Sequence, residues 1–340
     1  VAKSARSVHG LRSMSTHANT GWSCAPTRKT CRKHGSRAVI TMSIGARPFV
    51  QITRPLMEVY AAKVRADLHV VDSQEHVALR EHKARLTAAP LMLRFLKLPL
   101  LDHFLGRYWQ VLYLDDDTLV GPRTPDLFAA VPCGELGAVV ERHKPQTWHA
   151  MHWRTACELY GLPDCEPKTK WLFNSGLLLL SQRHRSLVDG WQKHKLECRV
   201  LCDQLFLNAA ARREQLCVRE LGPAFNYVGS ELRRALIKPP SSARRGALRD
   251  ACVAHLTRKV PKLYTADWLV HRSLAGDDAL QCARNGSEPQ DRHWRRTMLG
   301  RMPDLGHKYS FEEELCRGQS SACALQPWVA AGNLTSHAVT

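Results

Sequence analysis

Three consecutive carboxylates, Asp115-Asp116-Asp117, directly follow the apolar run Val111-Leu112-Tyr113-Leu114. Carboxylates at the end of a buried strand lose hydration and repel one another, so a divalent cation or a positively charged partner is expected beside them. The alternate pair Asp115 and Asp117 is best suited to one ion. Oxygen ligands of this kind favour magnesium or manganese, which keep positions open for phosphate oxygens. The plain structural alternative is an acidic loop capping a helix that begins near Pro125. Other groups could meet a polar ligand. Asn174 precedes Ser175-Gly176, where glycine permits close backbone approach and the amide can bind hydroxyls, unless the segment is a simple turn. Asp203 and Gln204 open a helical stretch, with Asp203 either facing a ligand or acting as N-cap. His255 follows strand-like Ala251 to Ala254, and a neutral imidazole there is a competent metal ligand.

These residues need a scaffold, and the apolar pattern supplies one. A strand over Ala38 to Ile44 is followed by a helix over Pro55 to Val64. A second strand spans Leu68 to Val71, and an amphipathic stretch carries Leu91, Phe95, Leu98 and Leu101. The strand Tyr108 to Leu114 then has the consecutive apolar residues of a strand covered on both faces. Gly137 to Glu141 and Leu177 to Leu180 read as further buried strands, and Cys202 to Ala211 as a helix. Alternating strands and helices define an α/β fold, in which ligands bind beyond the carboxyl ends of the strands, where Asp115 to Asp117 stand. Residues 1–36 read as a disordered or stalk-like leader, 37–270 as the catalytic domain, and 271–340 as a partly disordered extension.

Composition narrows the partners. The formal charge of +18 attracts anions, nucleotide diphosphates among them. Basic residues are scattered and aromatics make up only 7% of the chain, so nucleic acid is not expected as a primary partner. No apolar run approaches the roughly 18 residues of a membrane span. The first residue is Val1, so a signal or membrane anchor would belong to a preceding segment. Twelve cysteines without a CxxC pair argue against structural zinc. Cys157/Cys165 and Cys316/Cys323 are spaced for local disulfides, and Cys198 and Cys202 for one helix face; buried thiols are the alternative. With the acceptor patterns Asn285-Gly286-Ser287 and Asn333-Leu334-Thr335, this favours the Golgi or secretory lumen over the cytoplasm.

The segment Val111 to Val120, with Asp115-Asp116-Asp117, resembles the Asp-x-Asp segment of the GT-A nucleotide-diphospho-sugar transferases. The likeness is to glycosyltransferase family 8, the glycogenin and bacterial galactosyltransferase group. Further pieces follow in the family's order: Phe173-Asn174-Ser175-Gly176-Leu177-Leu178-Leu179, Asp203-Gln204-Leu205-Phe206-Leu207-Asn208, Phe225-Asn226-Tyr227 and His255. The resemblance covers residues 37–270. It implies a GT-A-like, Rossmann-type mixed, mostly parallel sheet flanked by helices. It also implies transfer of a hexose from a nucleotide-diphosphate sugar, a UDP-sugar by likeness, to an acceptor hydroxyl on a glycan, protein or small molecule, with retention at the anomeric carbon.

By that likeness Asp115, Asp117 and His255 hold manganese, or magnesium. Lys97, Asp116, Asn174, Ser175 and Gly176 meet the donor, and Asp203 and Gln204 lie at the reactive sugar. The closing segment departs from the family's His-x-x-Gly-x-x-Lys-Pro-Trp. Here Arg258 replaces the glycine and the lysine is shifted, leaving Lys259 or Lys262 for the diphosphate. The first strand ends in Ser43-Ile44-Gly45-Ala46-Arg47 in place of an acidic base-binding turn. Residues 141–172, with Arg142, His143, Lys144, Trp148, His149, Trp153 and Trp171, offer an acceptor surface or a packed insertion. Two rival readings stand beside the transferase. One takes Asp115 to Leu119 as the Asp-x-Asp-x-Thr signature of haloacid dehalogenase-like phosphatases, with Asp115 as nucleophile and Asp117 as acid/base. The other is an inactive relative that binds nucleotide sugar or glycan.

Overall fold

The computed structural model describes residues 35–45, 47–82, 90–162, 171–189, 191–193, 200–228 and 250–257, together with residues 266, 269, 270, 280 and 282. Lys259, Lys262, both glycosylation patterns and the Cys316/Cys323 pair lie outside them. The described residues fall into two compact units. One is drawn from Val1–Gly45, Ala61–Leu114 and Pro125–Pro223, the other from Ala46–Tyr60, Asp115–Thr124 and Ala224–Thr340.

The first unit is built on a six-stranded sheet of β1 (Arg37–Met42), β2 (Asp67–Val71), β3 (Gln110–Leu114), β5 (Leu136–Val140), β6 (Phe173–Ser181) and β7 (Val218–Glu220), in the order β2-β1-β3-β6-β5-β7. The pairs β1–β2, β1–β3 and β5–β7 are parallel, whereas β6 runs antiparallel to both of its neighbours. The sheet is thus mixed and mostly parallel, as expected. Its apolar runs explain the arrangement: all five residues of β3 and all nine of β6 are buried, so both faces of these strands are covered. On one face Ala38, Ile40, Val111, Tyr113, Leu178 and Leu180 join a core with α2 (Lys97–Leu105), α4 (Gln146–Tyr160) and α5 (Cys202–Arg213). Each such leucine, fully buried, contributes about 1.5–3 kcal/mol. On the other face Val39, Leu112, Leu179 and Val139 are also buried.

Two features place polar groups at one end of this sheet. The antiparallel register sets Leu114, the last residue of β3, opposite Leu177, so the N-terminal end of β6 lies at the carboxyl end of β3. Between the pairs Ala138↔Leu178 and Val140↔Phe173 the β5–β6 register shifts, so Asn174-Ser175-Gly176 opposes a shorter piece of β5. The strand expected over Leu177 to Leu180 therefore begins four residues earlier and carries those three residues within it. A second difference is α4, which lies inside a stretch expected to be an acceptor surface or insertion. Its buried residues His149, His152, Trp153, Ala156, Cys157 and Tyr160 form one helical stripe, and Gly161 ends it in the left-handed conformation at φ 61°.

The second unit holds a three-stranded sheet of β4 (Thr118–Val120), β8 (Tyr227–Val228) and β9 (Val253–His255), ordered β4-β9-β8. Helix α1 (Val50–Lys63) starts a turn before Pro55, where a start had been expected. The short α3 (Leu127–Ala130) is capped by Asp126, whose side chain accepts from the Ala129 amide at 3.2 Å. The acidic triplet is therefore not that helix's cap. Cys133, Cys157, Cys202, Cys217, Cys252 and Cys282 are all disulfide-bonded, the last two to each other, so these are not buried thiols. No described helix is long and apolar enough to cross a membrane.

Candidate functional site

The second unit brings Asp115, Asp117 and His255 together. Asp115 to Asp117 form the turn between β3 and β4, closed by the Thr118 amide donating to the Asp115 carbonyl at 3.1 Å. Antiparallel pairing sets Thr118 directly opposite His255, and the Leu256 amide donates to the Asp117 carbonyl at 2.8 Å. The imidazole consequently lies beside the turn. His255 Nε2 stands 3.1 Å from Asp117 Oδ1 and 3.5 Å from Asp115 Oδ2. One ligand atom from each residue fits within 4.8 Å of the others, and Asp117 and His255 are buried.

The tautomer is set from the other side of the ring. Asn226, one residue before β8, places Oδ1 3.0 Å from His255 Nδ1. An amide oxygen accepts only, so the proton of the neutral ring sits on Nδ1 and the Nε2 lone pair is directed at the two carboxylates. Two carboxylate oxygens and an imidazole lone pair converging in a buried place form a donor set that fits a divalent cation. Asp116 points elsewhere: Arg47 Nε lies 3.3 Å from its Oδ2, and Thr53 Oγ1 donates to its carbonyl at 2.7 Å. The triplet's charge is therefore divided between a guanidinium and the candidate ligand pair.

In the first unit the other described site residues form a polar cluster where β5, β6 and α5 meet. Lys97 Nζ reaches Asp203 Oδ2 at 2.5 Å and the Ser175 carbonyl at 3.0 Å, and it stands 4.6 Å from the centre of the Tyr113 ring. The Ser175 hydroxyl donates to the same Asp203 oxygen at 2.8 Å. Asp203 is not an N-cap, because Leu201 holds that position and Asp203 lies in the first turn of α5. The Gly176 amide donates to Asn174 Oδ1 at 2.8 Å, while Asn174 Nδ2 lies 3.4 Å from Gln204 Oε1 and 3.4 Å from Glu141 Oε1.

Glu141 had not been singled out, yet it is the hub of this arrangement. Its Oε2 accepts from Gln204 Nε2 at 2.8 Å, which fixes which end of the Gln204 amide is the donor. The sequence held a signal for it: a carboxylate directly after the buried strand Leu136–Val140, as Asp115 follows β3. His149 anchors the same corner. Its Nδ1 accepts from the Leu172 amide at 3.1 Å, leaving Nε2–H to donate to the Glu141 carbonyl at 3.1 Å. Burial holds its pKa below the ordinary histidine value. Asn208 bonds both the amide and the carbonyl of Phe173, tying α5 to β6.

The expected acceptor surface is only partly available. His149 and Trp153 are 0% and 1% exposed, so neither offers a face to a ligand. Arg142 lies over the Trp171 ring at 5.4 Å and Lys144 over Trp148 at 5.6 Å. Leu119, the final residue of the alternative phosphatase signature, is fully buried in β4.

No protein-family model matches the chain. No curated protein matches it either. Among solved structures it is similar to the bifunctional glycosyltransferase WbbM (12% identity, TM-score 0.42, covering 66% of this chain and 46% of that one). It is similar to mouse xyloside xylosyltransferase 1 (13% identity, TM-score 0.40, 66% and 99%). A third is a glycosyltransferase involved in glycosylation of the major capsid of PBCV-1 (11% identity, TM-score 0.39, 66% and 93%). This chain thus spans less than half the length of WbbM.

Proposed function

We propose that this protein is a metal-dependent glycosyltransferase that moves a hexose from a nucleotide-diphosphate sugar, a UDP-sugar by family likeness, to an acceptor hydroxyl with retention. The observation that carries this reading is the convergence of Asp115, Asp117 and the His255 Nε2 lone pair, with Asn226 fixing the ring. The ordered motif series from Asp115 to His255 supports it.

In this reading Asp115, Asp117 and His255 hold manganese or magnesium. When bound, the ion neutralises charge developing on the departing nucleotide diphosphate. Lys259 or Lys262 would add positive charge at the diphosphate, and Asp116, paired with Arg47, would face the donor nucleotide. Lys97 and Ser175 hold the Asp203 carboxylate in one orientation at the reacting sugar. Gln204, its amide nitrogen held by Glu141, presents its carbonyl oxygen as the group able to approach the anomeric carbon. Asn174 and Gly176 would offer polar contacts to sugar hydroxyls. The disulfides favour an oxidising secretory lumen such as the Golgi.

The test is release of nucleotide diphosphate from a panel of nucleotide sugars, with and without manganese, by the native chain and by Asp117→Asn. Turnover of one donor that needs the ion and falls at least about 100-fold in the variant supports the reading and names the donor. Donor binding without turnover would make the protein an inactive relative, and phosphate release from a generic phosphoester would sink the transferase.

A further inference from the structure

The strands that carry the candidate cation centre are short. β4 and β9 have three residues each and β8 has two, so few ladder bonds hold His255 against Asp117. A further restraint lies just outside the ladder, at Cys252, the residue before β9. Its carbonyl accepts from the Gly121 amide at 2.7 Å and from Thr124 Oγ1 at 2.7 Å, and its amide donates to the Ala224 carbonyl at 2.8 Å. Its sulfur is bonded to Cys282, whose own amide donates to the Ala251 carbonyl at 3.3 Å.

The segment that delivers Cys282 is seated on the exit of β4. A Cβ added at Gly121 would meet the Leu280 carbonyl oxygen at 2.7 Å and the Cys252 carbonyl oxygen at 2.9 Å, closer than real side chains come. Leu280 and Cys282 both adopt left-handed backbone, at φ 50° and 49°, which non-glycine residues hold only when their surroundings impose it. The disulfide and the hydrogen bonds around it therefore clamp the chain leaving β4 at Gly121, four residues after Asp117, to the chain entering β9 at Cys252, three residues before His255. Both sulfur-bearing residues are almost fully shielded, Cys252 at 2% and Cys282 at 8% exposure, so the bond is closed during folding and then protected from exchange.

We propose that Cys252 and Cys282 are positioning residues of the cation centre, and that the chain acquires its full divalent-cation affinity only when this disulfide has formed. The proposal rests on the cation reading of Asp115, Asp117 and His255. In the closing step the two thiols lose two protons and two electrons to a disulfide-class oxidant, which leaves as two thiols, and the sulfur–sulfur bond forms. Cation binding is thereby tied to oxidative folding.

The experiment titrates manganese alone into the full chain and reads free ion by electron paramagnetic resonance. The proteins are the native chain, Cys252→Ala/Cys282→Ala and Gly121→Ala, with far-UV circular dichroism to establish folding. Gly121→Ala keeps every cysteine and displaces the Leu280 and Cys252 carbonyls through which the disulfide would act on β4, so it tests that route if the double variant does not fold. The expected result is one site in the native chain, weakened at least about 10-fold in each folded variant. Native-like affinity in a folded variant overturns the clamp while leaving the cation centre standing. No manganese binding by the native chain removes the centre itself, and the proposal with it.

Discussion

Asn226 shows what a residue-by-residue reading sees and what it does not. Its presence in the Phe225-Asn226-Tyr227 piece was legible, but its task, holding the His255 Nδ1 proton, depends on β8 lying parallel to β9 with Val228 opposite His255. Asn226→Ala removes the acceptor and frees the ring to rotate. Manganese affinity should then fall about 10- to 100-fold without loss of the fold, as an isothermal titration would show; unchanged affinity would mean that the amide does not orient the ligand. Lys97 makes a second case. Family likeness sets Lys97 beside a donor as an expectation, and the structure places it on Asp203 with side-chain exposures of 4% and 8%. Lys97→Met leaves a buried carboxylate with its cation removed, which should lower stability by about 3–5 kcal/mol. Lys97→Met combined with Asp203→Leu should recover most of that loss in urea unfolding; a double variant no better than the single would show that the pair contributes more than mutual neutralisation. Glu141 was missed because a single carboxylate after a strand is common, and only the convergence of Gln204 and Asn174 on it marks it out.

At the scale of elements, apolar patterning located β1, β3, β5 and α5 to within a few residues, because the strands are largely apolar runs and α5 carries Leu205, Phe206, Leu207 and Ala209 to Ala211. It failed where burial is carried by residues that look polar. The inner stripe of α4 contains His149 and His152, and the period from 149 to 160 is regular only once histidine counts as a buried residue. The start of β6 was hidden likewise, since Asn174 and Ser175 sit within the strand and are buried by the polar cluster around them. The same habit of burying imidazole makes the fold sensitive to acid. The Ser181 amide donates to His184 Nδ1 at 2.9 Å, and burial lowers the His184 pKa to about 4. The folded state then binds fewer protons than the unfolded chain, so stability falls as pH drops from 6.5 toward 4. From this residue the loss at pH 5 is on the order of 2 kcal/mol. Burial lowers His149 and His152 in the same sense. His184→Asn keeps an acceptor for the Ser181 amide and removes the titration. The difference in melting temperature between pH 7 and pH 5 should shrink in this variant, and an undiminished difference would place the acid sensitivity in the other histidines.

For the molecule as a whole, charge is the property read most directly from sequence and the least tied to any one contact. Lys and Arg number 49 against 31 Asp and Glu, giving +18, whereas the candidate ligands Asp115 and Asp117, and Glu141, are acidic. In the proposed transferase a nucleotide-diphosphate sugar would approach through a positive field and be held locally by a cation and its carboxylates, two contributions that salt should separate. The field between exposed charges decays over about 10 Å at 0.1 M salt and about 3 Å at 1 M, whereas direct contacts in a buried centre are screened far less. Raising sodium chloride from about 0.05 to 0.5 M at saturating manganese should therefore raise the donor KM several-fold while kcat changes less than about twofold. Holding manganese in excess keeps loss of the ion from imitating loss of the field, and a neutral acceptor measured alongside should show no comparable rise. If kcat fell with KM constant, salt would be acting on the reacting groups; if neither moved, the +18 charge would play no part in capturing the donor and would call for a different anionic partner.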